Sequence, residues 1–292
     1  MLTVLAPAKI NLTLEVLGKR PDGFHEIRSV IQTIDLCDSL RLRLSRELQF
    51  SSDNPDLIVE ESLVSRATAL LQQASRCFKG ATIEISKRIP LASGLGGDSS
   101  DAAAILHGLN KLWRLGLSPA ELLELAPRLG SDVAFFLYRG TALVEGRGER
   151  VTPLPPLPPR WVVLLMPPLP WMREKTRQLY ASLKPGHYTH GQFTDRVVAG
   201  LTGGVEVTSS MLFNVFEEVA HDNFAGLGEY QKQFLKAGAS SVHLAGSGPA
   251  LFTLVKNKAQ AEKIYGNLQK QGLECYLTET SAAVEEAERT AN

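Results

Sequence analysis

Five prolines fall within eight residues at Thr152–Pro159 (TPLPPLPP). Each fixes φ and removes a backbone N–H, so the run can enter neither a helix nor a central strand and stays extended. The chain has 292 residues, enough for one large or two moderate domains, and the run lies near its middle. It predicts a linker, 153–159, joining an N-terminal domain, 1–152, to a C-terminal domain, 160–282. Residues 283–292 are expected to form a fraying tail.

Before the run, Ile10, Leu12, Leu14 and Val16 alternate with Lys9, Asn11, Thr13 and Glu15. That period predicts a strand with Lys9 and Asn11 on one polar face. Pro21-Asp22-Gly23 supplies a turn. Leu40–Leu44 and Thr82–Lys87 read as further strands, and Leu63, Ala67, Leu70, Leu71 and Ala74 mark a helix between them. Ser118, Pro119 and Glu121 form a capping box, with Gly130 expected to end that helix. After the run come a buried strand (WVVLLM), helical patterns, two strands around Gly246-Ser247-Gly248-Pro249, a helix at 259–271 and a strand at 274–278. This order predicts an α+β sandwich of ferredoxin-like type.

Charge excludes some partners. Thirty-one basic residues balance 31 acidic ones, so no net field advertises nucleic acid or a membrane surface, and an anionic ligand needs a local site. Cys37, Cys77 and Cys275 are scattered and odd in number, which favours a reduced cytoplasmic compartment over a disulfide framework or a zinc site. The first residues, with Lys9 and Asn11 interrupting the apolar run, do not read as a signal peptide, and no stretch approaches a membrane span.

A local anion site is suggested by Ile89–Leu109, IPLASGLGGDSSDAAAILHGL. From Asp101, residues Ala102, Ile105, Leu106, Leu109 and Leu112 follow helical spacing. Ser99, Ser100 and Asp101 are residue types that cap a helix start. Gly94, Gly96 and Gly97 leave the main chain open to close approach. Free N–H groups and the helix dipole would attract phosphate, although a plain glycine connector with an ordinary cap fits as well. It is not a Walker loop, because Asp98 follows Gly97 where a lysine is required. Ser99 stands where a dinucleotide fingerprint needs its third glycine.

The run Pro90-Leu91-Ala92-Ser93-Gly94-Leu95-Gly96-Gly97-Asp98-Ser99-Ser100 resembles the phosphate-binding motif of the GHMP kinases, the superfamily of galactokinase, homoserine kinase, mevalonate kinase and phosphomevalonate kinase. PAKINLTLEV near the start resembles the family's first motif, and LAGSGPALF, Leu244–Phe252, its third. RPDGFHEI and LGSDVAFFLYRGTALVEGRGE are similar to the branch that phosphorylates the 2-hydroxyl of a cytidine-diphosphate-linked polyol, on the non-mevalonate route to isoprenoid precursors. The likeness is dense over residues 6–150 and thin afterwards except near Gly246–Pro249. The alternatives are a homoserine or mevalonate type of kinase, against which RPDGFHEI speaks, and a non-catalytic ligand-binding member of the fold.

The resemblance implies a two-domain fold, with a left-handed βαβ unit in the first domain as an exception to the usual right-handed rule. It implies ATP with Mg²⁺, bound by the residues Pro90 to Ser100 just quoted, and a small-molecule substrate, in a monomer or homodimer. Lys9 and Asp132 fall on the family's catalytic pair. By default a lysine is solvated and an aspartate after Gly130-Ser131 caps a helix; retention of both speaks for catalysis. Asn11 is implied at the polyol, with Phe24 and His25 at the cytosine and Tyr180 as a second ring. Phe24 stands where the family more usually has Tyr, Ser62 where it often has Asn near the adenine, and Asp98 where glycine is commoner. Pro168–Thr176 departs from the family pattern. His107, His187, His190, His221 and His243 fit no metal-ligand spacing.

Overall fold

The computed structural model describes residues 1–170 and 172–282; the tail expected at 283–292 lies outside them. β1 (Leu2–Lys19) and β2 (His25–Ser45) form a long antiparallel hairpin through the Pro21-Asp22-Gly23 turn. There Gly23 takes φ +85°, and the Arg20 N–H donates to the Phe24 carbonyl at 2.8 Å. β3 (Gln49–Ser52) and β4 (Gly80–Ser86) are parallel and joined through α1 (Leu63–Ser75), which makes the βαβ unit. β4 pairs with the far half of β2.

α2 (Gly97–Trp113), α3 (Pro119–Leu125) and α4 (Val133–Tyr138) follow, then β5 (Thr141–Gly146) and β6 (Arg150–Pro153). β5 pairs with the near half of β2 and with β6. α1 and α2 cover one side of this sheet, burying Leu40, Leu42, Leu71, Ile83, Leu106 and Trp113 together.

The second sheet holds β7 (Trp161–Met166), β9 (His243–Leu244), β10 (Leu251–Val255) and β11 (Glu274–Glu279) in the order β11-β7-β10-β9. Neighbouring strands in this sheet are antiparallel. Numbered within this half the order is 4-1-3-2, the ferredoxin-like arrangement that the element order predicts. Its helices are α5 (Lys175–Ser182), α6 (Gln192–Thr202), α7 (Glu217–Asn223), α8 (Leu227–Lys236) and α9 (Lys258–Gln269). β8 (Phe213–Asn214) leaves this half to pair in parallel with Thr13 and Leu14 of β1.

Three expectations change. The capping box at Ser118 is present, but α3 ends at Leu125 and passes into a 3₁₀ turn at Ala126–Arg128. Pro127 has no N–H to continue the α-ladder, so Gly130 is not that helix's end. The proline run is tied to the N-terminal sheet: Thr152 and Pro153 belong to β6, and the N–H groups of Leu154 and Leu157 donate to the carbonyl and hydroxyl of Thr141. And Lys9, Asn11, Thr13 and Glu15 do not face solvent, because residues 6–16 are buried on both sides of β1. The glycine loops and α6 roof that polar face. Glu15, fully buried, accepts from the N–H groups of Phe193 and Thr194 at the start of α6, a favourable place for a carboxylate.

Candidate active site

Lys9 is 5% exposed. Its ammonium donates to Asn11 Oδ1 at 2.7 Å and stands 3.5 Å from Asp132 Oδ2. The Asn11 amide donates in turn to Ser29 Oγ at 2.8 Å. A buried ammonium is costly unless paired and hydrogen-bonded, and Lys9 is both. Asp132 occupies the N-cap position of α4, yet its side chain makes no capping bond. The cap position places the residue, while its carboxylate serves Lys9.

α2 begins at Gly97, not at Asp101, because Gly96 at φ +78° turns the chain directly into the helix. Ser99 and Ser100 therefore lie inside the first turn instead of capping it. No side chain caps α2, which leaves its first-turn N–H groups available to an anion. Asp98 is exposed in that turn. Ser100 is 1% exposed, and its hydroxyl has no protein partner.

The segments of all three family-like motifs meet at this loop. The Lys9 N–H donates to the Leu95 carbonyl at 2.9 Å, and the Ala250 N–H to the Ser93 carbonyl at 3.1 Å. The glycines admit other parts of the chain. A Cβ at Gly94 would lie 2.0 Å from the Ala245 carbonyl, and one at Gly96 would lie 2.8 Å from the Phe136 ring. Phe136 belongs to α4, so this packing also sets where Asp132 stands. Within the loop, the Ser93 hydroxyl donates to the Pro90 carbonyl at 2.7 Å, Leu95 is buried, and Leu91 is half-buried.

Beneath the loop, Lys87 is sandwiched between Asp38 and Asp101, at 2.5 and 2.8 Å, with all three side chains almost wholly buried. Asp38 also accepts from the N–H groups of Arg88 and Ile89. Two carboxylates share one cation, and Asp101 Oδ1 has no partner. Burial pushes the Asp101 carboxyl up to about 7.

Phe24 sits on the β1–β2 turn, 53% exposed, with the Arg147 guanidinium 4.8 Å above its ring. His25 stacks on Tyr180 of α5, with centroids 4.9 Å apart and planes 18° apart, while Tyr188 meets it edge-on. Tyr180 is edge-on to Phe216 as well. Burial and the nearby Lys19 lower the His25 pKa, which favours neutral imidazole. Burial, with a further contribution from the Asp132 charge, raises the Tyr180 phenol. The aromatic cluster thus adjoins the Lys9–Asp132 pair. Ser62 is taken up locally: its hydroxyl donates to the Val59 carbonyl and accepts from the Val64 N–H as the cap of α1. Among the described residues, no group of three or more His, Cys, Asp or Glu side chains is placed to hold a metal ion, and no helix is long and apolar enough to cross a membrane.

Sequence reasoning missed Lys175. As the first residue of α5 it donates to the Ala92 carbonyl at 2.6 Å and to the Gly248 carbonyl. The only signal was that Pro168–Thr176 departs from the family pattern.

Comparison with known proteins matches this architecture. The profile of the GHMP kinase N-terminal domain matches residues 62–140, and that of the C-terminal domain residues 206–274. A homoserine kinase from Cytophaga hutchinsonii, 20% identical, shares the fold with a TM-score of 0.74 over 96% of this chain and 94% of its own. The chain belongs to the GHMP kinases. Within them it falls among the 4-diphosphocytidyl-2-C-methyl-D-erythritol kinases. A protein of that name from Dehalococcoides mccartyi is 51% identical over 280 residues, covering 96% of this chain and 98% of the relative. One from a Geobacillus species is 41% identical, covering 92% and 93%. A crystal structure of 4-(cytidine 5'-diphospho)-2C-methyl-D-erythritol kinase, 31% identical, superposes with a TM-score of 0.82 over 96% of this chain and all of that one.

Proposed function

We propose that this chain transfers the γ-phosphoryl group of ATP to the 2-hydroxyl of 4-diphosphocytidyl-2-C-methyl-D-erythritol. The observation that carries the reading is the buried Lys9 ammonium, 3.5 Å from an Asp132 carboxylate that caps nothing, beside the uncapped start of α2.

The substrate hydroxyl attacks the γ-phosphorus, its proton passes to Asp132, and ADP leaves with the electrons of the broken P–O bond. A carboxylate is a weak base at neutral pH, but in a loose phosphoryl-transfer transition state it need only accept the proton late. Lys9, 3.5 Å from Asp132, offers positive charge to the transferring group. Asn11 fixes the Lys9 ammonium and faces the polyol. Phe24, His25 and Tyr180 receive the cytosine, with a neutral imidazole able to donate and accept at base edges. Pro90–Ser100 and the α2 N-terminus hold the ATP phosphates. Mg²⁺ draws most of its ligands from phosphates and water, so a protein needs to supply few oxygens, and the unpartnered Ser100 hydroxyl fits that demand. When bound, Mg²⁺ supplies neutralisation of the phosphate charge. The requirement for ATP and three unpaired cysteines support a cytoplasmic setting.

The test is a substrate panel with purified protein, read by ATP consumption. Turnover is expected with the cytidine-linked polyol and not with homoserine or mevalonate. Turnover of either of those alone, or of none, would overturn the reading.

A further inference from the structure

Lys175, half-buried, differs from the lysines buried near the loop. Lys9 has Asp132 and Lys87 has two carboxylates. Among the described residues, Lys175 is held only by carbonyls, those of Ala92 in the phosphate loop and Gly248 in the third glycine segment. The next residue reinforces the placement, since the Thr176 and Ser247 hydroxyls are 2.9 Å apart. A cation without a counter-charge therefore faces the loop from the C-terminal half. The charged group acting on it from β1 is Lys9, itself paired with Asp132. On its own segment, Glu174 is turned to Arg177. Burial first, and then Lys9, bring the Lys175 ammonium down to about 7. Carbonyls solvate an ammonium but do not neutralise it, and a phosphate oxygen does both.

We propose that Lys175 is a phosphate-binding residue of this reaction, exchanging the Ala92 and Gly248 carbonyls for phosphate oxygens when the polyphosphate enters. The proposal rests on the kinase reading above. The phosphate belongs either to ATP or to the diphosphate of the cytidine substrate. Both present the same chemistry, and the test separates them.

Binding of Mg·ATP and, separately, of 4-diphosphocytidyl-2-C-methyl-D-erythritol is measured by calorimetry at about pH 8 in two buffers of different ionisation enthalpy. A group of pKa about 7 is mostly neutral there, and a bound phosphate recharges it, so the wild-type protein takes up a large fraction of a proton with the ligand that Lys175 meets. Lys175→Arg, charged already, binds that ligand with little uptake. Lys175→Met takes up none and weakens the same ligand about tenfold or more, by affinity and by KM. Uptake with ATP alone assigns Lys175 to the triphosphate; uptake with the cytidine ligand alone assigns it to the diphosphate. A tie between loops that touches no ligand would not move proton uptake. Uptake with neither ligand, uptake that persists in Lys175→Met, or a folded Lys175→Met with unchanged affinities and turnover overturns the proposal. Should Lys175→Met fail to fold, the difference between wild type and Lys175→Arg decides. If the cytidine ligand does not bind at all, the substrate assignment has failed, and the ATP titration still judges Lys175.

Discussion

Asp132→Asn separates the proposed catalytic role of this residue from its place at a helix start. Asparagine keeps the size and would cap about as well as aspartate, and the aspartate makes no capping bond to lose. What disappears is one ion pair at 3.5 Å between a Lys9 side chain 6% exposed and an Asp132 side chain 32% exposed. With Lys9 buried and Asp132 half-buried, the loss lies between that of an exposed pair, about 0–1 kcal/mol, and that of a fully buried one, about 3–5 kcal/mol; Lys9 keeps its bond to Asn11, so stability should fall by about 1–3 kcal/mol. Turnover should fall about 10²–10⁴-fold, the scale of a positioned proton acceptor. Thermal unfolding checks the first figure and steady-state kinetics the second. Calorimetry with ATP should show binding retained, since the loop and the start of α2 are untouched. A folded variant that binds both substrates and turns over within a few-fold of the parent would refute the reasoning. Lys9→Ala should also lower kcat, and the double variant should lose less than the sum if the two act together.

Phe24→Ala removes a half-exposed ring, so the fold should be indifferent while KM for the cytidine substrate rises by about 1–3 kcal/mol of lost stacking, with KM for ATP unchanged; a rise for ATP alone would mean the ring serves the other ligand. Gly94→Ala puts a Cβ 2.0 Å from a backbone oxygen at φ +89°, which should cost at least about 1–3 kcal/mol and weaken ATP binding together, seen as a lower Tm and a higher KM; unchanged values would deny the contact. Asp101 holds a proton in the folded state up to about 7 that the unfolded chain releases near about 4, so wild-type stability falls as pH rises through that window. Asp101→Asn lacks this titration and should gain Tm relative to wild type between about pH 5 and 8, and parallel curves would contradict the shared-cation arrangement.

The pieces of this fold with one clean period were legible in the sequence. α1 follows from spacing, and the ferredoxin-like class of the second half from the order of its elements. β1 shows where that stops: its alternation is real, but polar residues do not mean a wet face when loops and a helix roof them. The helix start at Gly96 was obscured by serines that resemble caps, and only backbone conformation settles it. The glycines of the loop read as room for a ligand, whereas Gly94 and Gly96 are also needed by Ala245 and Phe136, which are remote in sequence. Lys9 and Asp132 were legible through resemblance only, since each has an ordinary role that spacing cannot exclude. Lys175 was not legible, because a lysine that begins a helix is indistinguishable from any solvated one until its carbonyl partners are known.

β8 is two residues long, yet it makes the halves inseparable. It carries chain from beyond the proline run into the first sheet, and Asn214 within it binds the Leu244 and Gly246 carbonyls beside the third glycine segment. At the opposite edge, Thr280 bridges to Ile34, and the Ser281 N–H donates to the Thr33 carbonyl. Swinging one half away from the other would break these pairings. The proline run marks a change of sheet but not a place to cut: a gene truncated there would yield two fragments, each missing a strand or a clasp that the other supplies.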